Sequence, residues 1–462
     1  MTRARRRIGG GLLAGAMLLL ASPGAVLASG QSGVNPDWLE LGREVLADGD
    51  GWGSAGAGTT GGSAADDAHV FVVSTWPELR AALGGTGAHN QSTPRLIFVD
   101  GEIRAFGFAD ASSGLPTCDD FAATVSIEDA GGVRPFTMAE HIATFAPDVW
   151  GWASPSGPVE DARAAAARAQ TAQVRQRFGS NVTLMGLGDD ARIVGAHLSV
   201  QGVSNVILRN LQISDAYDCF PEWDPQDGAT GNWNSLYDNV SVHTSRNVWA
   251  DHLTLDDGDH PRQEIETVHG RPFEVHDGLL DITHSSDLVT VSYTVFDNHD
   301  KTNLVGSSDS RLEDRGTLRS TWHHNLWDDV GQRAPRVRFG DVDVYNNLSR
   351  LSTSAGFGYF WGVGVESSIY AEKNVFELPG GVPVSRLISA MGGTQLHASQ
   401  NLVNGVEVDV LAAFNAAASP ANRLAPGARW VPQLRTVVHD VREVRDIVLA
   451  EAGSGRLGAA GS

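Results

Sequence analysis

Short apolar runs recur along the second half of the chain, and each ends near a polar residue. Examples are NVILRNLQI, NVWADHLTL, LVTVSYTVF, STWHHNLW, VDVYNNLS, IYAEKNVF and LHASQNLV. Aligning these runs places the following residues at one equivalent position: Asn210, His252, Thr294, Asn325, Asn347, Asn374 and Asn401. Their intervals of 42, 42, 31, 22, 27 and 27 residues are typical of a β-solenoid in which loops lengthen some of the coils.

The recurrent asparagine suits a tight bend between stacked sheets, where its amide can bind the backbone and the next coil. A β-sandwich is the structural alternative, but the hairpin turn signals that a sandwich requires are missing. The long intervals lie between residues 210 and 325, so we expect extra loops on one face, often the binding face. The predicted fold class is all-β, a β-solenoid with long loop insertions and flanking helices.

Three segments interrupt the strand pattern and predict helices. Thr75 and Glu78 have the spacing of a capping box ahead of an amphipathic run. Residues 158–178 are rich in alanine and lie between Pro158 and Gly179. The segment VHDVREVRDIVLAEAG near the end of the chain predicts a helix that covers or flanks the stack of coils.

Composition divides the chain into three parts. Residues 1–28 have a basic start, an apolar core and small residues at their end, which predicts a secretory signal. Residues 29–69 are rich in glycine, serine and alanine and predict a flexible segment, and residues 70–462 predict a single β-solenoid domain. We therefore expect a secreted, extracellular protein, and a monomer, since nothing in the sequence predicts an oligomer.

The charge of the chain excludes two classes of partner. The formal net charge is −21, and removal of residues 1–28 leaves 30 basic against 55 acidic residues, or −25. So acidic a chain is not expected to bind nucleic acid or an anionic membrane. Cys118 and Cys219 are its two cysteines, and in an oxidising compartment they predict a disulfide. Two buried free thiols remain the alternative.

Three aspartates occupy related places in the repeat. Asp238 lies 14 residues before His252, and Asp281 lies 13 before Thr294, so adjacent coils would bring them about 5 Å apart. Asp277 comes four residues before Asp281. Three such carboxylates repel one another without a cation, and oxygen ligands suit Ca2+ better than Zn2+. Three scattered surface aspartates remain the alternative. The segment DDGDH, residues 256–260, is interpreted as a turn.

Basic residues follow the same register. Lys301 comes seven residues after Thr294, Arg333 comes eight after Asn325, and Arg338 is five residues further. A groove that holds a cation site and these basic side chains would bind an anionic ligand, most simply a repeating polymer of carboxylates. A row of unrelated surface charges is the alternative.

Several long motifs resemble the family 1 polysaccharide lyases, the pectate lyases. They are AYDCFPEWDPQDGATGNWNSLYDNVSV, VWADH, HDGLLDI, LVTVSYTVFDNHDKTNLVGSSDS, TWHHNLWDDVGQRAPRVRFG and VYNN, in the order of the family. The resemblance implies a right-handed parallel β-helix that binds Ca2+ and cleaves polygalacturonate, an acidic plant cell-wall polysaccharide, by β-elimination.

The resemblance also implies roles for particular residues. Asp238, Asp277 and Asp281 match the calcium ligands of the family. Lys301 and Arg338 match residues that bind substrate. Arg333 matches the arginine that is held to remove the proton, although arginine is normally protonated, so a metal-bound hydroxide remains a competing base.

Two positions depart from the family pattern. The motif WIDH is WADH here, with Ala250, and Asp343 stands where a histidine is usual. Because neither position matches a proposed ligand, we expect only effects on packing or on pH behaviour.

Three other functions compete with this interpretation. A pectin lyase would act on methyl-esterified polymer without the calcium carboxylates, and those carboxylates are retained here. A non-catalytic β-helix that binds polysaccharide would be expected to lack the lysine or one of the arginines. A hydrolytic solenoid would use carboxylates with water, which leaves the arginine motif without a role.

Overall fold

The protein is described by a computed structural model over residues 34–458, so the predicted signal, residues 1–28, lies outside the described residues. The strands stack coil upon coil as three parallel ladders, which we name sheets A, B and C. A coil passes through sheet C, then sheet A, then sheet B before the chain enters the next coil. This architecture confirms the predicted parallel β-helix.

Sheet C is the face of the helix that carries the candidate site. Its strands are Arg175–Arg177, His197–Gln201, Val240–His243, Leu280–Thr283, Leu304–Val305, Arg336–Val337, Trp361–Gly364 and Ile388–Met391.

Sheets A and B share two long strands, Ser204–Ser214 and Arg246–Asp256, whose first halves lie in sheet A and second halves in sheet B. The other strands of sheet A are Val70–Val73, Arg95–Val99, Val182–Gly186, Asp287–Ser292, Ser320–His323, Asp341–Tyr345, Ser368–Glu372, Gln395–Ser399 and Ala425–Pro426. The other strands of sheet B are Glu102–Arg104, Arg192–Val194, Val295–Asp297, Leu326–Asp328, Leu348–Arg350, Val375–Glu377, Leu402–Val403 and the antiparallel Val406–Glu407.

Side chains alternate between the interior of the helix and its outer faces, as the period of a strand requires. On sheet C, Val240 and Val242 are fully buried, whereas Ser241 and His243 between and after them lie on the outer face. Aromatic rings fill the interior, where Phe296 and Trp327 stack with their planes 12° apart. The outer face of sheet C is therefore free to carry polar groups without disturbing the core.

The corner between sheets A and B is closed by a column of polar side chains. In this column Thr294, Asn325, Asn347, Asn374 and Asn401 lie on successive coils. Each asparagine accepts a hydrogen bond through its side-chain oxygen from the backbone N–H of the preceding coil, at 2.8 to 3.1 Å. The predicted stacking of asparagines across coils is confirmed for this column.

The predicted alignment is wrong by one residue for the first two coils. Asn210 pairs with His252, and the register of the next strands places His252 level with Tyr293, not with Thr294. These residues belong to a neighbouring column with left-handed backbone, φ between 47° and 57°: Asn210, His252, Tyr293, His324, Asn346, Lys373 and Gln400. Polar residues mark both columns, so polarity alone does not identify the register.

Helices flank the stack and are Pro36–Arg43, Trp76–Leu83, Cys118–Ala123, Met138–Thr144, Pro158–Val174, Val410–Ala417 and Val441–Glu451. The predicted capping box is present: the Thr75 hydroxyl accepts from the N–H of Glu78, whose carboxylate accepts from the N–H of Thr75. The predicted alanine-rich helix ends at Val174, because Arg175–Arg177 joins sheet C. The last helix packs on sheet B through Val441, Val444 and Val448, so it flanks the stack.

The predicted flexible segment, residues 29–69, lies against sheet A in its described part. Gly53 N–H donates to the hydroxyl of Thr290 at 2.9 Å, and Gly62 N–H donates to that of Thr183 at 2.9 Å. A Cβ at Gly62 would lie 1.9 Å from the carbonyl oxygen of Arg95. The glycines that predicted flexibility therefore permit a close approach to the sheet.

Three short antiparallel hairpins complete the fold. They are Ser126–Asp129 with Gly132–Pro135, Glu222–Asp224 with Asn232–Asn234, and Thr267–Val268 with Arg271–Pro272.

Candidate active site

The three predicted ligand aspartates lie where long loops enter sheet C. Asp238 ends the loop before Val240–His243, and Asp277 and Asp281 flank the start of Leu280–Thr283. The register pairs Asp281 with Ser241, so Asp238 and Asp281 are not at equal heights on their strands. Their side chains nevertheless converge, because a Cβ at Gly278 would lie 2.9 Å from Asp238 Oδ1 and 2.7 Å from Asp281 Oδ1.

Backbone donors hold two of these carboxylates. Asp238 Oδ1 accepts from the N–H of Gly278 at 2.9 Å, and Asp281 Oδ1 accepts from the N–H of Leu304 at 2.9 Å. Burial first, and then repulsion by Asp281 and Asp277, raises the pKa of Asp238 well above its ordinary value. Burial and the neighbouring Asp277 also raise the pKa of Asp281 to about 7. The site concentrates more negative charge than it neutralises by itself.

The predicted cations lie on the next two coils. Lys301 Nζ lies 3.0 Å from Asp277 Oδ1, and although burial opposes ionisation, Lys301 holds the pKa of Asp277 below its ordinary value. Lys301 forms a parallel bridge with Gln332, the residue before Arg333. The charge of Arg333 reaches both aspartates: it adds to the effect of Lys301 on the pKa of Asp277, and it reduces the rise that burial and Asp277 cause in the pKa of Asp281. The structure therefore brings all these predicted residues together.

Arg338 is held more firmly than Arg333. Its Nε donates to Asp309 at 2.5 Å and its Nη1 donates to the carbonyl oxygen of Gly306 at 2.8 Å. A Cβ at Gly364 would lie 2.9 Å from Arg338 Cγ, and one at Gly306 would lie 2.9 Å from Arg338 Cβ. The sequence did not predict that Gly278, Gly306 and Gly364 leave room for side chains of the site. The signal that could have indicated it is that each is a glycine close to a site residue, in sequence or in the neighbouring coil.

Two buried histidines were also missed. His197 Nδ1 lies 2.8 Å from the carbonyl oxygen of Asp238, and His299 Nε2 lies 2.8 Å from that of Asp277. His299 is in turn held by Asp257, whose Oδ1 lies 2.7 Å from its Nδ1. Asp257 belongs to DDGDH, which does form a turn after Arg246–Asp256 and thereby supports the backbone of one predicted ligand.

The donor set at this site fits a hard cation. The carboxylates of Asp238 and Asp281 border the space that the missing Cβ of Gly278 leaves, and Asp277 is close enough to raise the pKa of both. Carboxylate oxygens are the ligands that Ca2+ prefers. Asp277 is engaged by Lys301, however, and across residues 34–458 no set of three or more histidine, cysteine, aspartate or glutamate side chains has the arrangement of a formed metal site. The residues that would hold the ion are nevertheless Asp238, Asp277 and Asp281, because they supply the carboxylate oxygens at this place.

The predicted disulfide is confirmed. Cys118, at the start of its helix, is bonded to Cys219 across a separation of 101 residues. Cys219 lies in the long loop that ends at Asp238. The crosslink therefore ties the loop that presents one predicted ligand to the flanking helices.

The sequence model of a family described as "Pectate lyase" matches residues 154–422, more than half of the chain. The chain belongs to the pectate lyase family. It is 37% identical to the pectate lyase of Bacillus subtilis (strain 168) over 422 residues, which cover 90% of this chain and 94% of that protein. Pectate lyase E of Dickeya chrysanthemi is 32% identical over 382 residues and 80% of each chain. The chain is accordingly an enzyme of the lyase class.

Solved pectate lyase structures have the same fold. A thermostable pectate lyase has a TM-score of 0.84 at 39% identity, covering 90% of this chain and 99% of that chain. A pectate lyase bound to a hexasaccharide has a TM-score of 0.82 at 36% identity, covering 91% and 100%. Within residues 34–458, no helix has the length and apolar character needed to cross a membrane.

The two departures from the pectate lyase pattern both lie in sheet A, away from the site. Ala250 is buried in the core. Arg435 donates to both oxygens of Asp343, at 2.9 and 2.6 Å, and also to Glu372. Burial raises the pKa of Asp343 to about 6. This aspartate therefore has a structural partner of its own.

Proposed function

We propose that this chain is a secreted, calcium-dependent pectate lyase that acts as a monomer. It cleaves (1→4)-α-D-galacturonan, polygalacturonate, by β-elimination and releases oligosaccharides with unsaturated galacturonosyl ends. One observation carries the proposal: three converging carboxylates lie next to Lys301, Arg333 and Arg338 on one outer face. Export is supported by the disulfide, since such bonds persist in oxidising compartments.

The cations have different tasks in this proposal. Lys301 and Arg338 pair with carboxylates and hydroxyls of the substrate, and Arg338 is pre-oriented for this by Asp309 and Gly306. Arg333 is half-buried, and none of the ion pairs within residues 34–458 involves it. We assign the removal of the proton on carbon 5 to Arg333 in its neutral guanidine form, because it is the basic side chain beside Asp281 that no carboxylate engages among the described residues.

The proposed reaction is a β-elimination across carbons 4 and 5 of a galacturonate unit. Ca2+ bound by the three aspartates would withdraw charge from a galacturonate carboxylate and make the proton on carbon 5 more acidic. The neutral guanidine of Arg333 takes that proton and becomes guanidinium. The electron pair of the broken C–H bond forms a double bond between carbons 4 and 5, and the bond from carbon 4 to the glycosidic oxygen breaks. The departing oxygen takes a proton from solvent and Arg333 returns its proton to solvent, so the net reaction adds no water across the bond.

The test follows the ultraviolet absorbance of unsaturated product. The purified chain is given polygalacturonate with Ca2+, polygalacturonate with a chelator, and highly methylated pectin. We expect an absorbance rise on polygalacturonate that the chelator abolishes and that added Ca2+ restores.

Other outcomes contradict specific parts of the proposal. Chelator-resistant activity on methylated pectin would assign the chain to pectin lyases. New reducing ends without absorbance would mean hydrolysis, and no activity in any arm would favour a polysaccharide-binding protein. A fractionated culture with the protein retained inside cells would contradict secretion.

A further inference from the structure

Sheet C carries four arginines that form no ion pair with an acidic side chain among the described residues. The ion pairs within residues 34–458 include none made by Arg175, Arg177, Arg333 or Arg336. Three of these, Arg175, Arg333 and Arg336, also have a buried Nε without a hydrogen-bond partner. The chain holds 55 acidic residues, so the missing partners do not reflect a shortage of carboxylates. Arg175 thus resembles Arg333 in two respects: it forms no ion pair among the described residues, and its buried Nε has no hydrogen-bond partner.

Arg175 and Arg177 lie on the first strand of sheet C, on the far side of the carboxylates from Lys301. The register aligns Arg177 with Ser199, Ser241 and Asp281 on successive strands. Three strand spacings separate Arg177 from Asp281, about 14 Å. Between them on this column lie Ser241, which is partly exposed, and Ser199, which is fully buried and accepts a hydrogen bond from Arg175.

Arg175 leans toward the active site. Its Nη2 donates to Ser199 Oγ at 3.2 Å and to Gln201 Oε1 at 2.8 Å, on the next strand. Both acceptors are neutral, and both fix the direction of the guanidinium without cancelling its charge. Burial, and then repulsion by Arg177, lowers the pKa of Arg175, and the charge of Asp238 offsets this only in part. A further anion beside the two arginines would therefore stabilise them.

A polymer of carboxylates bound at Lys301 and Arg338 can extend along the stack. A chain that continues toward the first coils passes over the partly exposed Ser241 and then reaches Arg175, whose guanidinium donates to the buried Ser199, and Arg177. Solvated surface charge is the competing explanation, but exposed charges of that kind seldom contain a buried donor without a partner.

We propose that Arg175 and Arg177 form a distal subsite that binds a carboxylate of the polygalacturonate chain beyond the cleavage site. The inference rests on the proposed function and adds to it a set of residues that favours long substrates. Arg175 supplies the oriented guanidinium, and Arg177 supplies a second positive charge on the same strand.

The experiment compares substrates of two lengths. KM and kcat are measured by the absorbance assay, with Ca2+, on polygalacturonate and on trigalacturonate for Arg175→Ala, Arg175→Lys and the double variant Arg175→Ala/Arg177→Ala. Arg192→Ala is the matched control, because Arg192 lies on sheet B and pairs with Glu102. Thermal unfolding is recorded for every variant.

We expect Arg175→Ala to raise KM for polygalacturonate about tenfold, the strength of a charge-assisted hydrogen bond, and the double variant to raise it further. The rise should be smaller on trigalacturonate, and Arg175→Lys should recover part of the loss. KM of the unaltered chain should increase with salt more steeply than KM of the double variant.

Equal rises in KM on both substrates, or unchanged KM on polygalacturonate, would overturn the subsite. A fold defect in Arg175→Ala does not obscure the result, because Arg175→Lys and the salt dependence supply independent readings. Failure of the unaltered chain to cleave polygalacturonate would instead contradict the proposed function itself.

Discussion

Four arginines on sheet C differ from three arginines that lie on or against sheets A and B. On sheets A and B, Arg319 pairs with Asp287, Arg350 with Asp328, and Arg435 with Asp343. On sheet C, the arginines at 175, 177, 333 and 336 have no carboxylate partner among the described residues. The contrast concerns particular positions, since Arg338 on sheet C pairs with Asp309 and Arg246 on sheet A forms no ion pair among the described residues. The four sheet C arginines without a carboxylate partner stay available to a polyanion.

The two edges of the coil differ in the same way. The corner between sheets A and B repeats one device, an asparagine whose amide closes each bend. The passage from sheet B to sheet C has no such repeat and holds the long loops that end at Asp238 and Asp277. The regular asparagine corner therefore stabilises the fold, and the irregular loops carry residues of the candidate site.

The largest expected effect is a loss of catalytic rate, expected for an arginine of sheet C and not for one of sheet B. Arg333→Ala should lower kcat on polygalacturonate about 10³-fold, the range of a lost proton transfer, with little change in melting temperature. Steady-state kinetics by absorbance measure it, and Arg192→Ala on sheet B serves as control. Equal losses in both variants would show that arginine on either face matters only for the fold.

The next effect concerns the space between the carboxylates. Gly278→Ala would place a Cβ 2.7 Å from Asp281 Oδ1 and 2.9 Å from Asp238 Oδ1. We expect the Ca2+ concentration for half-maximal activity to rise about 100-fold, as for a disturbed metal site. Gly380→Ala is the control, since a Cβ there meets nothing within 4 Å. An unchanged calcium requirement in Gly278→Ala would place the ion elsewhere.

The third expected effect is a loss of stability at the corner between sheets A and B. Asn347→Ala removes the acceptor of the Asn325 N–H and the donor to the carbonyl oxygen of Trp322, both buried. We expect a loss of about 2 kcal/mol in the free energy of unfolding, because buried polar groups lose their partners. Urea unfolding measures it, with the exposed Asn422→Ala as control. A loss of kcat/KM at full stability would contradict the structural assignment of this corner.

The smallest effect depends on pH. Burial, and then His323 and His439, lowers the pKa of His324, so this imidazole is neutral in the fold and protonates more readily once unfolded. Stability is therefore complete above about pH 6.5 and falls as the pH drops below it, by up to about 1.4 kcal/mol per unit. Unfolding measured at pH 8, 6.5 and 5 should show a shallower decline for His324→Gln. Parallel declines in both proteins would rule out His324 as the source.

Motif residues were predictable where sequence spacing follows strand register. Asp281, Lys301 and Arg333 lie on consecutive coils as predicted, because a solenoid converts intervals in sequence into neighbours in space. The register of Asn210 and His252 was wrong by one residue, since two adjacent columns at the bend both accept polar side chains. A one-residue shift is invisible in composition yet moves a side chain to the other face.

The sequence by itself determined the coil repeat, the resemblance to pectate lyases, the cysteine pair and the identities of the acidic and basic site residues. These follow from local patterns, which persist whatever the exact packing. Only the tertiary structure decided that Gly278 leaves room between Asp238 and Asp281, that His197 and His299 hold backbone oxygens, and that Arg175 remains unpaired. Such facts depend on which side chains from distant segments come within hydrogen-bonding distance, and that distance is set by the stacking of the coils.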